Sequence, residues 1–85
     1  MTRDEMQATI LRVLGEIAPE ADFARLDPRV SFRDQLDLDS MDVLNFVIGL
    51  HTAFGVDIPE ADYAKLATLE GCLEYLQVSC AAART

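Results

Sequence analysis

Tryptophan is absent from this chain, histidine occurs once, and among 85 residues seven bases face fifteen acids. Each scarcity excludes something. The lone His51 and the two cysteines give no zinc-ligand spacing, and no glycine-rich phosphate loop is present. Cys72 and Cys80 fall on one predicted helix, about 12 Å apart along its axis. A disulfide needs Cα atoms within roughly 7 Å, so the two cannot pair with each other. Two unpaired thiols fit a reducing compartment, with Cys72 read as a small core residue and Cys80 as a tail residue. No apolar run approaches the length of a membrane span. Met1 to Met6 carries no apolar signal core, so the expected location is the cytoplasm. The shortage of bases is local as well as global. From Arg33 to Ala64 seven acids (Asp34, Asp37, Asp39, Asp42, Asp57, Glu60, Asp62) accompany one base, within a net charge of −8. That segment should repel nucleic acid and anionic lipid and attract basic protein surfaces, although acidity also simply keeps small proteins soluble.

What is present is enough for one small core. The chain is 51% hydrophobic, and a domain of this size buries about 60–65% of its unfolded surface. The expectation is a single domain over 1–85, all-α: an antiparallel bundle of three main helices plus one short helix, with a long loop between helices one and two. The first helix is predicted over 2–17, where Met6, Ile10, Val13, Leu14 and Ile17 recur at helical spacing. Thr2 and Glu5 form a capping box, and Pro19 ends the helix. Pro19 to Asp39 has no sustained period, but Phe23, Leu26, Val30, Phe32, Leu36 and Leu38 should hold it against the core, and Ser31 to Asp34 suits one helical turn. The second helix is predicted over 40–54, with Phe46, Val47, Leu50 and Phe54 buried and Gly55 as its left-handed stop. Gly49 within it costs about 1 kcal/mol relative to alanine, which close packing against a neighbouring helix would explain. A short helix over 59–65 starts at Pro59 and turns Tyr63 and Leu66 inward. Thr68 caps a last helix over 68–80 that buries Leu69, Cys72, Leu73 and Leu76. Gly71 should weaken its first turn, and Ala81 to Thr85 should fray.

No catalytic set emerges. Ser40 and His51 share a helix face but stand about 16 Å apart along it, whereas a general base must approach within roughly 3 Å of the proton it takes. His51 therefore reads as a solvated residue or a partner contact. Asp37-Leu38-Asp39 lacks the preceding apolar strand of an Asp-x-Asp phosphatase. Counted as a calcium loop from Asp37, the sixth position holds Asp42 rather than glycine and the twelfth holds Ile48 rather than a carboxylate. The remaining feature is a helix start. Asp39 reads as the N-cap, Ser40 as the first helical residue and Asp42 as the reciprocal partner of a capping box. The Ser40 hydroxyl then faces outward at the positive end of the helix dipole, where a phosphate ester would gain roughly 0.3–1 kcal/mol.

Phe32 to Asp42, followed by Phe54-Gly55-Val56-Asp57-Ile58-Pro59, resembles the acyl carrier proteins. Asp39-Ser40-Met41 matches the family's Asp-Ser-Leu/Met core, and Phe54 to Pro59 matches its Phe-Gly-x-x-Ile-Pro block at the usual distance. The likeness runs from Thr2 to about Gln77. It implies that Ser40, flanked by Asp39 and Met41, accepts 4′-phosphopantetheine from coenzyme A, with a phosphopantetheinyl transferase and magnesium effecting the transfer and 3′,5′-ADP leaving. The arm's thiol would hold acyl groups as thioesters for enzymes of fatty acid, polyketide or specialised acyl metabolism. The chain itself would be a carrier and not an enzyme.

The resemblance also implies docking along the second helix, at Met41, Asp42, Leu44 and Ile48, with Asn45, His51 and Thr52 on the same exposed face, and Asp37 in the loop before it is expected to add to the docking surface. The family often has glycine at the position of Asp37 and glutamate at several helix positions that are uncharged here. Docking is therefore expected to be more apolar along the helix and more acidic in the loop before it. The expected partners are acyl- or aminoacyl-loading and condensing enzymes with basic and apolar surfaces, met by a monomer. No metal site is expected. The tryptophan-free interior is compatible with sheltering an acyl chain. Two alternatives stand beside this reading: an aminoacyl or peptidyl carrier, and an unmodified acidic helical interaction module.

Overall fold

The computed structural model describes the backbone of residues 2–83 and the side chains of residues 2–79. Helix α1 spans Arg3–Ile17, α2 Phe32–Gln35, α3 Ser40–Phe54 and α4 Leu69–Ala83. Two 3₁₀ segments, Phe23–Arg25 and Glu60–Leu66, lie between them. Among the described residues there is no strand. α1 packs on both α3 and α4, and α4 packs on Glu60–Leu66, giving a helical bundle of 37 × 25 × 20 Å.

Local chemistry sets the helix ends. At α1 the Thr2 hydroxyl accepts from the Glu5 amide at 3.1 Å, and Glu5 accepts from the Thr2 amide at 3.1 Å. The Thr2 amide first, and the Thr2 hydroxyl near the carboxylate second, hold the Glu5 carboxyl below its usual range. Gly55 ends α3 at φ 64°, a left-handed value that suits a residue without Cβ, and its amide bonds to the His51 carbonyl at 2.9 Å. The α1 and α4 stripes meet in the core. Met6, Ile10, Val13 and Leu14 pack with Phe46, Val47 and Leu50 and with Leu69, Cys72, Leu73 and Leu76. Ile17, Phe54 and Tyr63, expected inside, are only half-buried because they sit at the ends and rim of the bundle. A Cβ built on Gly49 would stand 2.5 Å from Val13 Cγ1, so the glycine lets α3 close onto α1.

Several expectations are corrected or extended. The connection from Pro19 to Asp39 is not one loop. It holds the Phe23–Arg25 turn besides α2, which bears out the helical turn expected at Ser31 to Asp34, and Gln35 knits it together by donating to the carbonyls of Asp27 and Val30, both at 2.9 Å, while accepting from the Asp27 amide. Val30 of this connection is exposed. Pro59 is the N-cap of Glu60–Leu66 and not its first residue, and that segment is 3₁₀ throughout. Gly71 does not merely weaken α4: a Cβ there would collide with the Lys65 carbonyl, and its amide donates to the Thr68 hydroxyl at 2.9 Å. α4 also continues as helix to Ala83, past the expected fraying point. Arg84, Thr85 and the Cys80 side chain lie outside the described residues.

Candidate functional site

The site is built at the junction of the long connection with α3. Phe32 is buried, its ring edge-on to Phe46 at 5.1 Å, and its amide donates to the Ala67 carbonyl at 2.8 Å. This pins α2 to the end of Glu60–Leu66. The Leu38 amide then donates to the Arg33 carbonyl at 3.1 Å, and the buried Leu38 side chain fixes the approach to α3. Between them Asp37 adopts φ 53°, the one left-handed non-glycine residue among those described.

Asp39 caps α3 as expected. Its carboxylate accepts from the Asp42 amide at 2.8 Å, and Asp42 accepts from the Asp39 amide at 3.3 Å. Both carboxylates of the box are thereby turned onto main-chain donors. Ser40, the first helical residue, is exposed, and among the described residues its hydroxyl takes part in no side-chain hydrogen bond. Hence an exposed hydroxyl stands at a helix start whose two flanking carboxylates are engaged by main-chain amides.

His51 is too far along α3 to serve. Its Nδ1–H donates to the Val56 carbonyl at 2.8 Å, and Nδ1 lies 3.8 Å from Asp57 Oδ1. That bond ties the helix end to the following turn, a role that spacing alone did not reveal. Cys72 is inert. It is fully buried, its thiol donates to the Leu66 carbonyl at 3.3 Å, and burial pushes its pKa up to about 12.

Three surfaces lie on or next to the elements that carry Ser40. Along α3, Met41, Leu44 and Ile48 are exposed, Met41 by 62% and Ile48 by 51%. At positions i, i+3 and i+7 they form one apolar stripe, accompanied by the exposed Asn45, His51 and Thr52, while Asp37 is exposed and Asp42 half-buried. On one flank an open groove of about 690 Å³ runs between the end of α1 and the loop before α3, with Glu20, Asp22, Asp37 and Asp42 among its lining. On the other flank is a mainly apolar cleft of about 340 Å³ between α2, α3 and Glu60–Leu66, walled by Phe32, Leu38, Val43, Phe46, Tyr63 and Leu66. No spacing argument located these clefts, because they arise from how α2 and the 3₁₀ segment sit on α3. Leu38 and Val43, which line this cleft, stand two residues before and three residues after Ser40. No group of three or more His, Cys, Asp or Glu side chains among the described residues is arranged to hold a metal ion. No described helix is long and apolar enough to cross a membrane.

Residues 4–76 match the family described as phosphopantetheine attachment site. The chain is 33% identical over 79 residues to an acyl carrier protein of Rubrobacter xylanophilus, an alignment covering 89% of this chain and 93% of that one. It is 34% identical over 70 residues to an acyl carrier protein of Myxococcus xanthus, covering 79% and 89%. Among solved structures, an acyl carrier protein from Enterococcus faecalis superposes with a TM-score of 0.78 at 24% identity, over 93% of this chain and 99% of that one, a likeness of fold.

Proposed function

The chain belongs to the acyl carrier protein family, whose members carry 4′-phosphopantetheine, and from that premise we propose that Ser40 is the attachment residue and 1–85 one carrier domain. The observation that supports this most is the free, exposed Ser40 hydroxyl at the first turn of a doubly capped helix. Asp39 holds the helix start by capping, and Met41 flanks the attachment point. The helix N-terminus favours the negative charge that a phosphodiester would bring there. When bound, the arm supplies a thiol that holds acyl groups as thioesters. The polypeptide's own tasks are then to present Ser40, offer a docking face and shelter the load. Catalysis resides in the partner enzymes.

Met41, Leu44 and Ile48 form the docking face in this reading, with Asp37 and Asp42 adding negative charge at its start. The partners, a phosphopantetheinyl transferase and acyl-loading or condensing enzymes, would present apolar and basic surfaces. The carrier would meet them as a monomer in the cytoplasm. The apolar cleft beside α3 suits a sheltered acyl chain, and the relatives' acyl cargo favours acyl over aminoacyl loading.

Intact mass after incubation with a promiscuous phosphopantetheinyl transferase and coenzyme A tests the reading. The expected result is a gain of one phosphopantetheine, abolished in Ser40→Ala. An unchanged mass beside a control carrier that is modified in the same mixture would favour an unmodified interaction module instead.

A further inference from the structure

Arg12, Arg25, Arg29 and Lys65 each hold a carboxylate within 3.3–3.6 Å. Arg33, like Arg3, has no such partner among the described residues, although it is the one Lys or Arg from residue 33 to residue 64, a stretch with seven acids. Its position is also unusual. Its carbonyl receives the Leu38 amide, two residues before Ser40, and the exposed Arg33 is among the residues that line the apolar cleft, with Leu38, Val43, Phe46 and Tyr63. An arginine stem lies comfortably along such a wall while its guanidinium stays in water. The planar guanidinium is then free to take a carboxylate or phosphate with two parallel hydrogen bonds.

We propose that Arg33 is an oxyanion-receiving residue at the mouth of the cleft, and that its ligand arrives with the group attached at Ser40. This rests on the reading of Ser40 as the attachment point. Two sources supply the same chemistry: the phosphate diester of the arm, and a carboxylate at the far end of an acyl load lying in the cleft. Either source answers the excess of acids around Ser40, which otherwise repels an anion.

The test compares apo, holo, hexanoyl-holo and adipoyl-holo forms of the full chain, in the wild type and in Arg33→Gln and Arg33→Lys. The arm phosphate as ligand moves the Arg33 Nε–H resonance on conversion of apo to holo. A cargo carboxylate moves it only on adipoyl loading. In the second case Arg33→Gln shortens the half-life of the adipoyl thioester towards hydroxylamine by roughly twofold to fivefold relative to the hexanoyl thioester, as expected for one rim ion pair, and Arg33→Lys restores part of the difference. An Nε–H resonance that stays put in all four forms, with both half-lives unchanged in ratio, overturns the proposal and leaves the carrier reading intact. A chain that never gains the arm removes both, and intact mass reports that before any loading.

Discussion

Asp37 shows how much a single torsion carries. Its φ of 53° lies where L side chains are disfavoured, and aspartate tolerates it better than most. The sequence marks this residue only as a departure from a family that often has glycine there. The torsion explains the family's choice. Asp37→Gly should relieve the local cost while loosening the unfolded chain, so the net expectation is a gain of up to about 1 kcal/mol, with Asp37→Val losing at least that much. Urea unfolding of the two variants measures it, and a glycine variant clearly less stable than the wild type would contradict the strain argument. Gly71 teaches the opposite lesson. Helix propensity marks it as a weak point, whereas the backbone of Lys65 passes too close for any side chain. Propensity is a property of one residue, and close approach is a property of two segments, so only the first can be read along the chain.

At the scale of elements, the caps and stripes were legible because they follow local spacing: Asp39 and Asp42, Thr2 and Glu5, and the buried faces of α1 and α4. The connection between α1 and α3 was legible only in its turn at Ser31 to Asp34, since Gln35 holds the rest by bonds reaching eight residues back to Asp27. The tethering of Glu60–Leu66 was equally hidden. Tyr75 of α4 donates to Asp62 Oδ2 at 2.8 Å, and Lys65 Nζ lies 3.3 Å from Asp62 Oδ1. The Tyr75 hydrogen bond is the main reason that the Asp62 carboxyl lies below its ordinary value of 3.8, with Lys65 adding to it. For Tyr75 the shift is upward, from burial first and the Asp62 bond second. The sign for Asp62 follows from its lowered folded value. Its contribution to stability is present above the ordinary carboxylate range and is lost as pH falls through the folded value. Glu5, lowered by Thr2, acts in the same direction. Tyr75→Phe should therefore reduce the melting temperature at neutral pH and flatten its decline between about pH 5 and pH 3. Circular dichroism melts across that range provide the check. Parallel declines in both proteins would show that the Tyr75–Asp62 bond carries no linkage.

For the whole molecule, fold class and attachment chemistry were legible because both are written in short stretches, and the clefts were not, because they are spaces between elements. Charge acts at this scale too. Fifteen acids against seven bases leave a net −8 on a body only 37 Å long, and self-repulsion opposes compaction. Raising monovalent salt from about 0.01 M to about 0.15 M shortens the screening length from about 30 Å to about 8 Å. The exposed ion pairs weakened by the same salt are each worth about 0–1 kcal/mol at most, so relief of repulsion should dominate and the melting temperature should rise. A fall on adding salt would mean that the pairs outweigh the repulsion. One last consequence belongs to α3. Ser40 and Ile48 ride a single helix, so the proposed root of the tether and the far end of the proposed docking stripe are spaced by about 12 Å. On the proposed reading, an enzyme that clasps the stripe has thereby already chosen where the arm begins, and the distance from its clasp to its own active-site entrance becomes a dimension that the carrier's clients would share.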